Sequence, residues 1–186
     1  MVSPGFPLRL AARVVRAGGV IAYPTEAVYG LGCDPAAVEA VLRILAIKGR
    51  PAAAGFILVA ASWAQLEGWI APTPAERRRL GQRLARPVSW VVRAGPLAYP
   101  LLTGDRPSLA VRVTRHPVAA ALCELSGGPL VSTSANRHGR PPARTALAAR
   151  RRLGTEVDQV VGGEVGGAHR PSEIRDAATG TVLRPG

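Results

Sequence analysis

The sequence has few cysteines, few aromatic side chains and no long apolar run. Cys33 and Cys123, the two cysteines among 186 residues, provide neither a disulfide framework nor the CxxC pairing of a zinc site. No apolar stretch approaches the roughly 20 residues that span a bilayer, and residues 1–19 lack the apolar centre of a secretory signal. Aromatic residues make up 4% of the chain, which disfavours reading of single-stranded nucleic acid by stacking. We therefore expect a cytoplasmic protein with reduced thiols and no membrane contact.

Acidic residues are also scarce, with 12 against 24 basic residues and a formal net charge of +12. This surplus favours a polyanionic or phosphate-bearing partner. An arginine-rich genome would produce the same composition, so charge alone leaves both explanations open. Lys48 is the single lysine among the 24 basic residues, and the other 23 are arginines. Because lysine is a compact point charge and arginine a planar fork, position 48 is a candidate for a role that arginine cannot fill.

The pattern of apolar residues predicts an α/β fold in one domain over residues 1–186. Helical periodicity predicts helices at 7–17, from Asp34-Pro35 to Lys48, through most of 63–84, from Pro117 onward and near 145–153. Short apolar segments predict strands at 20–24, 55–60, 88–94, 108–114, 129–136, 157–161, 172–177 and 181–185. The elements do not follow a strict βαβ rhythm, so we expect a mixed, twisted sheet.

The segment PLVSTSAN, residues 129–136, begins as a buried strand and ends in three hydroxyls and an amide. Small polar side chains there can cap a helix or turn the chain, or they can line the floor of a pocket. The glycine-rich GGEVGG at 162–167 lacks the GK[ST] ending of a phosphate loop and is typical of a flexible connection. A Ser134/His138 nucleophile pair is conceivable, but no strand–GxSxG–helix turn supports it, and the sequence disfavours this reading.

Two cation positions suggest ligand binding without establishing it. Lys48 and Arg50 lie at the end of one predicted helix, where they could hold a polyphosphate from two directions or simply interact with the helix dipole. Arg112 lies on the predicted strand SLAVRVT among apolar residues. A buried arginine requires an anion, which can be a carboxylate of the protein or of a ligand.

Five segments, taken in chain order, resemble the YrdC/TsaC family of threonylcarbamoyl-AMP synthases: VIAYPTEAVYGLGCDP, IKGRP, SLAVRVTRHP, PLVSTSAN and PSEIRDA. The resemblance extends from about Gly19 to Arg184. It implies a YrdC-like twisted mixed sheet, flanked by helices around a large concave, positively charged cavity. It also implies a nucleotidyltransferase that makes threonylcarbamoyl-AMP and pyrophosphate from L-threonine, bicarbonate and ATP. That product serves the threonylcarbamoyladenosine modification of tRNA next to the anticodon.

The resemblance also implies roles for particular residues. Lys48 and Arg50 match the KxR pair that binds the ATP phosphates, and we expect catalysis to depend on them. The other implied ATP-binding residues are Ser132, Ser134, Asn136, Ser172 and Arg184. The implied threonine-binding residues are Thr25, Ser108 and Arg112. No metal ligand is implied, and Mg²⁺ would be carried with ATP.

The implied partners are a separate tRNA-modifying transferase complex and, through the positive charge, weakly bound tRNA or other RNA. An RNA-binding module without catalysis is the alternative function. Release of pyrophosphate that depends on ATP and threonine distinguishes the two. The chain departs from the family pattern at four positions: Ala27, Ala54, Arg86 and His138.

Overall fold

The computed structural model describes residues 5–82, 84, 86–168 and 170–186. Its α-helices are α1 (Phe6–Arg16), α2 (Val38–Lys48), α3 (Pro74–Leu80), α4 (Pro100–Thr103), α5 (Pro117–Ser126) and α6 (Ala146–Leu153). Its strands are β1 (Ile21–Pro24), β2 (Tyr29–Gly32), β3 (Ile57–Ala60), β4 (Val88–Arg93), β5 (Ser108–Val113), β6 (Leu130–Ser134), β7 (Gln159–Val160), β8 (Glu173–Asp176) and β9 (Val182–Arg184). Within these ranges, no helix has the length and apolar character to cross a membrane.

The strands form one sheet of mixed direction, in the order β7-β1-β2-β6-β3-β5-β4-β8-β9. The pairs β1·β7, β3·β5 and β4·β8 are parallel. The pairs β1·β2, β2·β6, β3·β6, β4·β5 and β8·β9 are antiparallel. The predicted α/β fold with a twisted mixed sheet flanked by helices is confirmed.

Alternation along the strands supplies two hydrophobic cores, one on each face of the sheet. On β1, Ile21 and Tyr23 join the core under α1 and α5, whereas Ala22 faces the opposite core. That opposite core receives the apolar side of α2, including Val41 and Ile44. Both faces of β1 are therefore covered by packed apolar side chains.

Strand β2 was not predicted, because its sequence YGLG contains two glycines that weaken a strand signal. Close neighbours exclude a side chain at Gly32 and leave little room for one at Gly30. A Cβ on Gly32 would lie 2.7 Å from Cε1 of Tyr23, and one on Gly30 would lie 3.3 Å from Cγ2 of Thr25. The strand is held between β1 and β6, so tertiary pairing overrides its low propensity.

The prediction of helix through most of 63–84 is wrong. A short 3₁₀ turn at Ala64–Leu66 is followed by Gly68 with a φ of +79°, which ends any helix there. Helix α3 then starts afresh behind Thr73, which forms a capping box with Glu76. The predicted start of α2 at Asp34-Pro35 is also wrong, because the Asp34 carboxylate accepts from the N–H of Ala36 in a turn and the helix begins at Val38.

Candidate active site

The polar strand ends open onto a cavity of about 1690 Å³. Nine of the ten predicted site residues line it: Thr25, Arg50, Ser108, Arg112, Ser132, Ser134, Asn136, Ser172 and Arg184. They come from β5, β6, the turn after α2, the loop after β1 and the C-terminal strands. The structure therefore brings together residues that are far apart in the chain, and only Lys48 of the predicted set lies behind the lining.

Arginine dominates the charged groups among the described lining residues. Seven arginines line the cavity: Arg50, Arg86, Arg106, Arg112, Arg170, Arg175 and Arg184. The carboxylates among the same residues are Glu26 and Glu173. Of the four departures from the family pattern, Ala27, Ala54 and Arg86 also line this cavity. A wall with this charge balance is suited to polyanionic ligands.

Lys48 is buried, at 4% exposure, beneath the end of β6. Its Nζ donates to the backbone O of Ser134 at 2.6 Å, to Oγ of Ser134 at 3.1 Å and to Oδ1 of Asn136 at 3.0 Å. Burial, followed by the charge of Arg50, lowers the pKa of Lys48 to about 8. The Lys48 ammonium therefore holds Ser134 and Asn136 at the end of β6 in position. It influences the cavity through these two residues, which line it.

Arg50 faces the cavity directly. Helix α2 ends at Lys48, Gly49 takes the left-handed conformation that turns the chain, and Arg50 after it lines the cavity. Its Nη2 donates to the backbone O of Gly55 at 2.5 Å, and the guanidinium lies 4.4 Å from the centroid of the Phe56 ring. Nε is buried and has no hydrogen-bond partner within the described chain. The hydrogen bond to Gly55 and the Phe56 ring position the guanidinium at the cavity wall.

The end of β6 answers the question raised by its sequence: the hydroxyls and the amide form part of the cavity wall. Tyr23 donates its hydroxyl to Oγ of Ser132 at 3.0 Å, and burial raises the pKa of Tyr23 so that it stays protonated. The amide Nδ2 of Asn136 donates to the backbone O of Arg137 and of Arg140. These contacts orient the side chains of Ser132 and Asn136.

Arg112 is buried, at 8% exposure, and its anion is a carboxylate of the protein. Nη2 lies 3.3 Å from Oε2 of Glu26, and Oε1 of Glu26 accepts from Oγ1 of Thr114 at 2.6 Å. Burial opposes ionisation of Glu26, but Arg112 and the Thr114 hydrogen bond outweigh it and hold the pKa of that carboxyl below its usual value. Nε of Arg112 is buried without a hydrogen-bond partner among the described residues.

Ser172 links the C-terminal strands to Arg112. Its Oγ accepts from Nη1 of Arg112 at 2.9 Å and shares a hydrogen bond of 2.9 Å with Oγ of Ser89. Arg184 in turn donates to the backbone O of Ser172 at 3.0 Å. Thr25 donates to the backbone O of Val28 at 2.7 Å, which uses its hydroxyl proton within the local turn.

Sequence reasoning missed four residues of this network: Tyr23, Glu26, Ser89 and Thr114. Glu26 carried a usable signal, because it lies beside Thr25 in the segment PTEA and is one of only 12 acidic residues. Ser89 and Thr114 gave no signal, since a lone hydroxyl on a strand has no distinguishing pattern. His138 contributes its backbone N–H to the O of Lys48, while its side chain is exposed. His169 lies outside the described residues.

The chain is therefore an α/β protein with a mixed sheet and an arginine-rich cavity at the polar ends of its strands. Comparison with known proteins narrows this class. The Sua5/YciO/YrdC family model, whose description reads "Telomere recombination", matches residues 13–186, and the chain belongs to this family. The predicted family is therefore confirmed.

Similar proteins of known name agree with this membership. The chain is 51% identical over 185 residues to a protein of Nitrosococcus oceani named threonylcarbamoyl-AMP synthase, covering 99% of this chain and 100% of that one. A protein of the same name from Halorhodospira halophila is 52% identical over 180 residues, covering 96% of this chain and 94% of that one.

Two solved structures show the same fold. Sua5 of P. abyssi, complexed with L-threonine, superposes with a TM-score of 0.88 at 34% identity and covers 96% of this chain and 54% of that chain. E. coli YciO superposes with a TM-score of 0.83 at 28% identity, over 96% of this chain and 88% of that chain.

Proposed function

We propose that this protein is a threonylcarbamoyl-AMP synthase, a nucleotidyltransferase that converts L-threonine, bicarbonate and ATP into threonylcarbamoyl-AMP and pyrophosphate. One observation carries the proposal. A single cavity joins the cation-supported turn of Lys48, Arg50, Ser134 and Asn136 to the Arg112 region. The first group is suited to phosphates and the second to an amino-acid carboxylate. Both substrates of an adenylation reaction can therefore occupy one space.

In this mechanism the protein supplies positions and charges. Arg112, with Ser108 and Thr25 nearby in the lining, receives threonine. Arg50 and the hydroxyls of Ser132 and Ser134 bind ATP. Arg184, which lies beside Ser172 in the cavity wall, also contacts the nucleotide. Such preorganised donors act where negative charge develops, so they lower the barrier without a protein nucleophile.

The atoms balance without any further reactant. The amine of threonine, once deprotonated, forms a C–N bond with the carbon of bicarbonate, and water leaves. A carbamate oxygen then attacks the α-phosphorus of ATP. The bond between the α-phosphorus and the oxygen that bridges it to the β-phosphorus breaks, and that oxygen leaves with pyrophosphate. Arg50, supported by the Lys48 charge, stabilises the leaving group.

Mg²⁺ enters this scheme as part of the ATP substrate. Within the described residues, no cluster of three or more His, Cys, Asp or Glu side chains could hold a metal ion. Glu26 and Glu173, the described carboxylates of the cavity wall, are each paired with an arginine. The donor set thus suits a metal bound by phosphate oxygens rather than by the protein.

The proposal extends to the cellular role. Threonylcarbamoyl-AMP is a mixed anhydride that a separate transferase complex must consume to modify tRNA, and the reaction belongs in the cytoplasm. Weak tRNA binding through surface arginines would keep the synthase near that complex.

Incubation with ATP, bicarbonate and labelled threonine tests the proposal. We expect labelled threonylcarbamoyl-AMP and an equal amount of pyrophosphate, and no pyrophosphate when threonine is omitted. RNA binding that is indifferent to ATP and threonine, with no adenylate formed, would overturn the proposal and favour the RNA-binding module.

A further inference from the structure

Glu26 has a place in the cavity wall that the reaction scheme does not use. Its side chain is 13% exposed, one oxygen is held by Thr114, and the other lies 3.3 Å from Arg112. That second oxygen, Oε2, makes no hydrogen bond within the described chain. The carboxylate is therefore held in place, ionised and incompletely satisfied, at the end of the cavity assigned to threonine.

A carboxylate at this position works against the general character of the cavity. ATP and bicarbonate are anions, and seven described arginines of the lining attract them. Glu26 cancels the charge of Arg112 and so weakens the attraction of Arg112 for any simple anion. A neutral residue at position 26 would leave the full positive charge of Arg112 available to a simple carboxylate.

We propose that Glu26 and Arg112 together select an α-amino acid zwitterion against a plain carboxylate at this end of the cavity. The inference rests on the proposed function, because it concerns how threonine is chosen. Glu26 then acts as a specificity-determining residue through its negative charge.

The physical reason is the position of the ammonium group. A ligand carboxylate that lies against Arg112 brings its own α-ammonium close to the same guanidinium, where two positive charges repel. Glu26 compensates that repulsion, and in a poorly solvated wall the compensation is stronger than in water. A carboxylate without an amino group gains nothing from Glu26 and is repelled by it. Discrimination therefore comes from attraction of one ligand and rejection of the other.

Titration calorimetry with two matched ligands tests this inference. L-Threonine is compared with 3-hydroxybutanoate, which has the same carbon chain and hydroxyl but no amino group, with and without a non-hydrolysable ATP analogue. We expect the unmodified protein to prefer threonine more than tenfold. Glu26→Gln should reduce the preference below threefold, chiefly by improving the binding of 3-hydroxybutanoate.

Two control variants separate charge from packing. Glu26→Asp keeps the charge and should keep the preference. Thr114→Val should keep it too, because it removes the hydrogen bonds of the Thr114 hydroxyl to Glu26 and to the N–H of His116 but leaves the charge of Glu26. Circular dichroism and thermal melting verify that each variant is folded. An unchanged preference in Glu26→Gln overturns the inference, and so does a preference lost equally in Glu26→Asp. Should the unmodified protein bind threonine without discrimination, only the inference fails. Absence of threonine binding would overturn the proposed function as well.

Discussion

Single residues of the cavity act through the contacts that bury them, and Lys48 shows this most directly. Its three hydrogen bonds end on Ser134 and Asn136, both of which line the cavity. Arginine could not replace it without displacing the turn, because a planar fork is wider than an ammonium. This accounts for a lone lysine in a chain that otherwise uses arginine.

Lys48→Ala should lower threonylcarbamoyl-AMP synthesis more than tenfold. Loss of a charge-assisted hydrogen bond costs roughly 1.5–3 kcal/mol, and the turn at Ser134 and Asn136 loses its support. Lys48→Arg should also be impaired. Initial rates at varied ATP measure the effect, and His138→Ala, which removes only an exposed side chain, is the matched control. Near-normal turnover in folded Lys48→Ala would remove Lys48 from phosphate binding.

The lowered pKa of Lys48 predicts a proton linkage. With a pKa of about 8 in the folded protein against 10.5 for an exposed lysine, the unfolded chain binds the extra proton between these values. The free energy of unfolding should therefore rise with pH across that interval. Bound polyphosphate favours the charged form, so ATP binding at pH 8 should take up a proton. Calorimetry in two buffers of different ionisation enthalpy measures this uptake. Equal heats for the unmodified protein, or an uptake that persists in Lys48→Arg, would contradict the assignment.

Arg112 combines a structural ion pair with the proposed role in threonine binding, and a double variant separates them. Arg112→Ala should raise the KM for threonine far more than the KM for ATP. It should also destabilise the fold by about 3–5 kcal/mol, because Glu26 is left buried without its partner. Arg112→Met with Glu26→Gln should recover most of that stability but not threonine binding. If the KM values for both substrates rise equally, the ion pair is structural only.

The residue scale also shows where sequence-based prediction stops. The sequence identifies Arg112 as unusual, because a charged residue alternates with apolar ones on a predicted strand. The same sequence pattern does not show which anion pairs with Arg112. Glu26 lies in the loop between β1 and β2, far from Arg112 in the sequence. Only folding of the sheet brings the Glu26 carboxylate within 3.3 Å of the Arg112 guanidinium. Partner choice is a tertiary property, so the sequence left a protein carboxylate and a ligand carboxylate equally open.

At the scale of elements, prediction succeeded where one periodicity ran uninterrupted. Helix α1 and strand β5 carry clear helical and alternating patterns, and both were located within one or two residues. It failed at β2, where glycines are needed for close packing, and at 63–84, where Gly68 and two prolines break an apolar pattern. At β2 the pairing with β1 and β6 overrides a low strand propensity, whereas at 63–84 local glycine and proline residues interrupt the helix.

Arg79 shows how a helix can anchor a distant turn. It lies on α3, and its guanidinium donates to the backbone O of Ala177 and of Ala178, next to the turn that connects β8 and β9. Arg79 therefore contributes to structure, whereas Arg77 and Arg78 on the same helix are exposed. Arg83, four residues beyond Arg79, lies outside the described residues.

Arg79→Gln should therefore lower the free energy of unfolding by about 1–3 kcal/mol, the usual cost of leaving such acceptors unpaired. Arg78→Gln on the same helix is the matched control and should change stability by less than about 0.5 kcal/mol, because its side chain is exposed. Urea denaturation measures both. Equal midpoints for the two variants would contradict the anchoring role.

For the whole molecule, the net charge of +12 divides between the cavity and the outer surface. Arg77 and Arg78 on α3, and Arg151 on α6, are exposed and lie outside the described cavity lining. Successive helical residues diverge by about 100°, so these side chains form a diffuse field rather than one binding site. Such a field attracts tRNA weakly and without sequence preference.

Replacement of Arg77, Arg78 and Arg151 together by Gln should weaken tRNA retention at low salt. The slope of log affinity against log salt should become less steep by about 0.9 for each phosphate that the protein no longer neutralises, because fewer counterions are released. Synthesis of threonylcarbamoyl-AMP without tRNA should stay nearly unchanged, since its substrates are small molecules held inside the cavity. Filter binding at several salt concentrations measures the slope, and the same positions replaced by Lys, which keeps the charge, should preserve it. Loss of adenylate synthesis in the folded Gln variant would place these arginines in the active site and contradict the division of charge between cavity and surface.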